Sequence, residues 1–355
     1  KLSHSIKKCD YVFPIHPSNL VIKDRRPSVT SKHWPKQRLN EEMITHDTNH
    51  FCMSCSYDAH PGDNVKEVEI DSDWFSGTIR IHVPDLEHYN DFVNDKYDKD
   101  LVTIMTPSIN RIQYARLNWN HLMKNSDGNV EPFFHFVFVR QEEAEDYKSY
   151  WGNYVAIVEV PDQMKDVQVD VYQGGFGFIR RFIQRFADQM NIEEFCICDD
   201  NMVNFQTNDN SIMCFHVLCQ ELNKIGSDLH EVPPELHRNY KRHPEMDENS
   251  ITISSYSGPK RDIGIIGIRQ FRQNMPNRGP FQRSHCTTFM KINNKVLMEK
   301  GLFFQPWKTH DEFHLCNEVD QAGLHVLRLN YFQFVKSRSF DPLDMYIWTE
   351  KVYSI

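Results

Sequence analysis

No run of apolar residues in this 355-residue chain is long enough to cross a membrane, so no membrane partner is expected. Its first residues, Lys1-Leu2-Ser3-His4, carry neither a signal-peptide pattern nor an initiator Met. That start fits a piece of a longer protein. An excess of positive charge is also missing. The formal net charge is −9, which argues against a surface built wholly to bind nucleic acid. The one sizeable basic stretch, Lys260 to Lys300, holds nine Lys or Arg against two acids, Asp262 and Glu299, and leaves room for a local basic groove. No helix-turn-helix or standard zinc-finger pattern is present. Disulfide bookkeeping fails too. Nine cysteines is an odd number, and some sit in apolar strands, as in Phe195-Cys196-Ile197-Cys198. Reduced thiols of the nucleus or cytoplasm are expected. The glycine run Gly174-Gly175-Phe176-Gly177 has neither dinucleotide-binding nor P-loop spacing.

What is there is ordinary globular material, 40% hydrophobic and 25% charged, enough for a sizeable core. Residues 1–63 are polar and irregular and read as an arm, and the whole of residues 1–98 as an arm or subdomain. A second domain is expected over residues 99–355. Within residues 1–98, Thr78 to Val83 alternates as a strand does, and Leu86 to Lys96 reads as a short helix. Leu101 to Met105 opens the core as a compact strand, followed by a predicted helix over Asn110 to Lys124. Phe133 to Val139, Val155 to Val160 and Phe195 to Cys198 read as further strands, and Lys148 to Tyr154 as a connection. Phe178 to Met190 is an amphipathic helix with apolar residues at helical spacing. Residues 226–262 read as a flexible insertion. Later strands are expected at Ile263 to Ile268, His285 to Ile292 and Val326 to Phe334, with a helix over Asp311 to Ala322. Strands alternating with helices predict an α/β fold with a doubly wound, mostly parallel sheet. Its ligand site would lie beyond the carboxyl ends of the strands.

Four features fall on that edge. The strand ending in Asp199-Asp200 could hold a divalent cation, Mn²⁺ or Mg²⁺, that bridges two phosphates. Two Asp capping a turn would read the same way. Asp311-Glu312 opens a helix, where the macrodipole favours carboxylates and a general base would be well held. Gly174 and Gly175 would let backbone approach a ligand closely, and Arg180 could fork onto phosphate or uracil oxygens. Thr106-Pro107-Ser108, with Asn110 and Arg111, could cradle a nucleoside, or simply cap a helix. A separate group, His50, Cys52, Cys55 and His60, could bind zinc, although its spacing is not that of a standard finger.

The order of these features resembles that of GT-A glycosyltransferases. The segments around Thr103 to Met123, Gly174 to Phe186, Phe195 to Asn201 and Trp307 to Phe313 resemble the glycosyltransferases associated with TET and J-binding dioxygenases, over roughly residues 100–335. That group includes the base-J glucosyltransferase of kinetoplastids and a domain of an animal transcriptional coregulator, and the likeness is greater to the animal branch. The resemblance implies a GT-A-like fold and a UDP-sugar donor. It implies that Asp199 and Asp200 hold the donor's metal and that Asp311 or Glu312 is catalytic. Thr106, Pro107, Ser108, Asn110, Arg111, Gly174, Gly175, Arg180 and Asp199 would line the donor site. Two departures stand out. Asn201 replaces the usual third acid of the metal motif, and His325, the one late His near the place of a family metal ligand, lies inside an apolar strand.

The resemblance implies transfer of N-acetylglucosamine or glucose to a hydroxyl acceptor, either protein Ser/Thr or a hydroxymethylated base in DNA. The acidic balance favours protein. Two other classes compete: a catalytically silent interaction module with a nuclear transcription-factor partner, and a DNA-binding protein without chemistry.

Overall fold

The computed structural model describes residues 64–337, except 113, 126, 208–211, 226–251, 254–261, 271–280 and 284. The group His50, Cys52, Cys55 and His60 therefore lies outside the described residues, as does nearly all of the insertion expected over 226–262.

Among the described residues thirteen strands join one sheet. Its centre is built from β3 (Val102–Pro107), β4 (Phe133–Arg140), β5 (Ala156–Val160) and β6 (Glu194–Cys198). These run parallel in the spatial order β5-β4-β3-β6. The chain thus steps outward from β3 to β4 and β5, then returns to place β6 on the other side of β3. Loops leaving β3 and β6 diverge there and open a crevice, the usual ligand position in such sheets. The hairpin β1 (Val65–Asp71) and β2 (Ser76–His82) adds to the β5 edge antiparallel. It lies on the 1–98 side of the domain boundary expected from the sequence.

Beyond β6 the sheet turns mixed. Antiparallel β12 (Phe289–Asn293) links β6 to β10 (Ile263–Gln270), which pairs in parallel with β13 (His325–Lys336). The carboxyl ends of β10 and β13 therefore share an edge with those of β3 and β6. The hairpin β7 (Met202–Thr207) and β8 (Ile212–Met213) attaches to β13, and short β9 (Thr252–Ile253) and β11 (Phe281–Arg283) finish that side.

Side-chain alternation explains why the sheet is covered on both faces. On β6, Phe195 and Ile197 enter one core, while Cys196 and Cys198 enter the other. The first core holds Phe134, Phe136 and Phe138 of β4 against Phe178, Phe182 and Phe186 of helix α3 (Val171–Gln189). Each of these phenyl groups is fully buried, a gain of about 1.5–3 kcal/mol apiece before entropy is counted. Helix α1 (Glu87–Val93) joins this core through Tyr89 and Phe92. So do α5 (Asn294–Glu299), through Leu297, and α6 (Asp311–Gln321), through Leu315 and Val319. The second core packs helix α4 (Phe215–Lys224) and residues Trp119, Leu122 and Met123 on the other face. Six described cysteines, from Cys196 to Cys316, are free thiols.

Three expectations need correction. Among the described residues Asn110 to Lys124 is not a helix: it holds isolated turns at Arg111 and Trp119, broken between them where Asp200 claims the Arg116 N–H and the Arg111 side chain. The connection at Lys148 to Tyr154 is instead largely the end of helix α2 (Ala144–Trp151), whose Tyr147 and Trp151 are buried. The glycine run is no free turn. It lies inside α3, which starts at an Asp170 cap accepting from the Gln173 N–H and bends at Gly175 (φ 55°).

Candidate active site

Strand β6 is apolar to its end, and the next two residues are Asp199 and Asp200, set on the crevice edge. Asp200 points toward the β3 exit. It is only 4% exposed. Its Oδ2 accepts from the Ser108 hydroxyl at 2.6 Å, and its Oδ1 lies 3.0 Å from Arg111 Nε. Its carbonyl accepts from the Arg116 N–H at 2.6 Å. Tyr147 closes the cluster, with its hydroxyl 2.6 Å from Ser108 Oγ and accepting from the Arg111 N–H at 3.2 Å. Burial, reinforced by the Asp200 charge, pushes the Tyr147 phenol up, so it stays neutral. Asp200 thus holds the irregular segment 108–116 onto the end of β6.

Asp199 belongs to a second cluster, assembled from five separate parts of the chain. Its Oδ2 accepts from Lys336 Nζ at 3.1 Å, and its Oδ1 from Arg180 at 3.4 Å. About a quarter of its side chain is open to solvent (26%). Arg180, projected from α3 and itself buried, also donates to Asp311 Oδ2 at 2.9 Å and lies 3.2 Å from Glu312 Oε1. The Thr288 N–H donates to the same Glu312 oxygen at 2.8 Å, and the Thr288 hydroxyl accepts from Lys336 at 3.3 Å. Thr288 also accepts the Asp199 N–H on its carbonyl at 3.1 Å. It does so at φ 69°, a left-handed conformation that costs a β-branched residue of order 1–3 kcal/mol. The network holds that strain in place.

Charges in this cluster shift one another. Burial alone would push the Asp199 carboxyl up, but Lys336 and Arg180 outweigh it and hold the group below the usual carboxylate range. Glu312 goes the other way. Burial raises it, Arg180 opposes, and the Asp199 and Asp311 charges add to the rise. Burial disfavours the Arg180 charge, yet Asp311, Glu312 and Asp199 together raise it well above the ordinary guanidinium value. Asp311 and Glu312 sit in the first turn of α6, where the helix dipole favours negative charge.

Of the residues singled out in the sequence, the structure places Ser108, Arg111 and Asp200 in the first cluster and Arg180, Asp199, Asp311 and Glu312 in the second. Others lie elsewhere. Thr106 is fully buried, its hydroxyl 2.9 Å from Nε2 of His135, an imidazole that burial lowers to about 3 and so keeps neutral. Pro107 is buried at the end of β3 beside Phe138. Asn110 is exposed at φ 53°, with its N–H on Glu143 and its side-chain oxygen accepting from Arg140 at 2.8 Å. Gly174 and Gly175 face the chain's own segment 306–308: a Cβ on Gly174 would stand 3.2 Å from the Pro306 carbonyl oxygen. At Gly177 the fit is closer still, 2.3 Å from the Gln305 carbonyl oxygen and 2.4 Å from that of Trp307. The glycines thus let segment 305–308 lie on α3, and that segment leads directly into Asp311 and Glu312. His325 starts β13, opposite the edge that Lys336 reaches. Asn201 donates to the Ser337 carbonyl at 2.9 Å and receives the Ser337 N–H at 2.9 Å, tying the exits of β6 and β13.

The carboxylates do not fit the expected divalent cation. Both oxygens of Asp199 already face a cationic side chain, and both oxygens of Asp200 are engaged inside a buried cluster. Among the described residues no group of three or more His, Cys, Asp or Glu is placed to hold a metal ion. Sequence reasoning missed Lys336 and Thr288. Neither gave a signal of its own: β13 carries Arg328 as well as Lys336, and Thr288 acts largely through its backbone.

Residues 102–230 match the family model described as TET-Associated Glycosyltransferase. The matched stretch begins with β3 and contains Arg180, Asp199 and Asp200, but ends before Thr288, Asp311, Glu312 and Lys336. No curated protein matches the chain. Among solved structures, S. aureus TarS 1-349 in complex with UDP is 12% identical, with a TM-score of 0.37, over 70% of this chain and 62% of that one. A second, S. aureus TarS, is 11% identical, with a TM-score of 0.38, over 71% of this chain and 39% of that one. The chain spans less than two thirds of the length of either. No helix among the described residues is long and apolar enough to cross a membrane.

Proposed function

We propose that this chain is a glycosyltransferase that moves a sugar, N-acetylglucosamine or glucose, from a UDP-sugar to a hydroxyl acceptor, with Glu312 as general base. The observation that carries the reading is the placement of Glu312. It is a carboxyl with a raised pKa, fixed by Arg180 and the Thr288 N–H beside Asp199, at the carboxyl end of β6. The family match over residues 102–230 supports the same class.

Among the described residues both contacts of the Glu312 carboxylate fall on Oε1, so Oε2 is the oxygen left to an acceptor. In this reading Oε2 takes the acceptor's proton while the acceptor oxygen bonds to the anomeric carbon. The bond from that carbon to the diphosphate breaks, and its electron pair leaves with UDP. One displacement of this kind inverts the anomeric centre. Asp311, 2% exposed and committed to Arg180, serves as a positioning residue.

A protein Ser or Thr is the preferred acceptor. Two cations of the basic stretch that would favour DNA are already paired, Lys291 with Glu194 at 2.6 Å and Lys295 with Glu193 at 2.9 Å. Calorimetric titration with UDP, GDP, ADP and several UDP-sugars tests the donor site. Binding selective for UDP and one UDP-sugar is expected. Absence of binding by every nucleotide overturns the reading in favour of a catalytically silent interaction module.

A further inference from the structure

The charge arrangement around Asp199 carries one step further, resting on the donor-site reading above. A strand-end carboxylate that binds a cation-bridged diphosphate must keep its oxygens for that cation. Asp199 does not: Lys336 Nζ stands on one oxygen at 3.1 Å and Arg180 on the other at 3.4 Å. A divalent ion placed there would have to displace both cationic side chains from the Asp199 oxygens.

Lys336 is built into this position. It ends β13, and its neighbour Ser337 is clamped to Asn201 by the two hydrogen bonds that tie the exits of β13 and β6. Its ammonium has three donors. Asp199 and the Thr288 hydroxyl take two, at 3.1 and 3.3 Å. The side chain is still 27% exposed, on the crevice edge, so a third donor can reach a ligand. Arg180, on the other Asp199 oxygen, is buried and locked by three carboxylates.

We infer that Lys336 neutralises the departing diphosphate in place of a divalent cation, so that donor binding is independent of metal. When the sugar–oxygen bond breaks, its electron pair stays on the terminal phosphate oxygen. Lys336 donates a hydrogen bond to that oxygen and keeps its proton, so no further reactant is needed.

The test is calorimetric titration of UDP and UMP into the full chain, in EDTA and in Mn²⁺. Unchanged UDP affinity in EDTA is expected. Lys336→Ala and Lys336→Met should weaken UDP about tenfold or more, and UMP less, because UMP lacks the second phosphate. Thermal melts check that both variants fold, and the wild-type comparison stands without them. UDP binding that appears only with Mn²⁺ overturns this inference and leaves the donor site standing. So does UDP binding unaffected by both substitutions in folded protein. No UDP binding under any condition overturns the donor-site reading itself.

Discussion

Asp199 and Asp200 are adjacent in sequence and do different work. Asp200 is 4% exposed, and Ser108, Arg111 and Arg116, which hold it, come from the stretch that follows β3. Asp199 is about a quarter open to solvent, and its partners come from α3, β13 and the turn before β12. The first cluster joins β6 to its sheet neighbour; the second gathers remote elements around an accessible carboxylate. A strand ending in two acids therefore does not mark two equivalent ligands. Burial and the origin of the partners decide which acid can meet a substrate.

The largest expected effect separates these neighbours by stability. Asp200→Ala removes a buried carboxylate from an ion pair with buried Arg111 and from the Ser108 hydroxyl, and should cost about 3–5 kcal/mol. Asp199→Ala removes a partly exposed partner from cations that keep others, and should cost about 1 kcal/mol or less. Denaturant unfolding of the two variants checks this. Equal losses would break the comparison.

A smaller effect sharpens the second cluster. Gly177→Ala puts a methyl group 2.3 Å from the Gln305 carbonyl oxygen, so segment 305–308 must move off α3. The expected destabilisation is about 1–3 kcal/mol. Displacement of α6 should also separate Glu312 from Arg180. A variant of wild-type stability, measured in the same unfolding experiment, would show that the glycines do not position α6.

How far the sequence disclosed this follows from locality. Strands β3 to β6 were legible because short apolar runs end in polar residues, and α6 because an acidic first turn precedes a helical stripe. The same signals singled out Asp199, Asp311 and Glu312 as candidates, and the glycine run singled out Arg180. The segment after Arg111 misled because Ile112, Ala115, Leu117, Leu122 and Met123 have helical spacing, while the competing bonds to Asp200 come from β6. The glycines were visible, but their partner, the carbonyls of Gln305 and Trp307, lies far along the chain. Lys336 was invisible for the same reason: its role depends on β13 and β6 ending at one edge of the sheet, a fact of topology. Thr288 carries its role on its backbone, which no side-chain pattern reveals.

The most direct test of the central claim is UDP release from the preferred UDP-sugar, measured against pH with a panel of Ser/Thr peptides and hydroxymethylated DNA. A general base must be ionised. With the Glu312 pKa raised, activity should therefore climb with pH through a midpoint above the ordinary glutamate value of 4.5. Glu312→Gln should lower turnover about 100-fold or more, abolish that limb and leave UDP affinity in place. Turnover in Glu312→Gln equal to wild type, or no UDP release from any donor, would contradict the account.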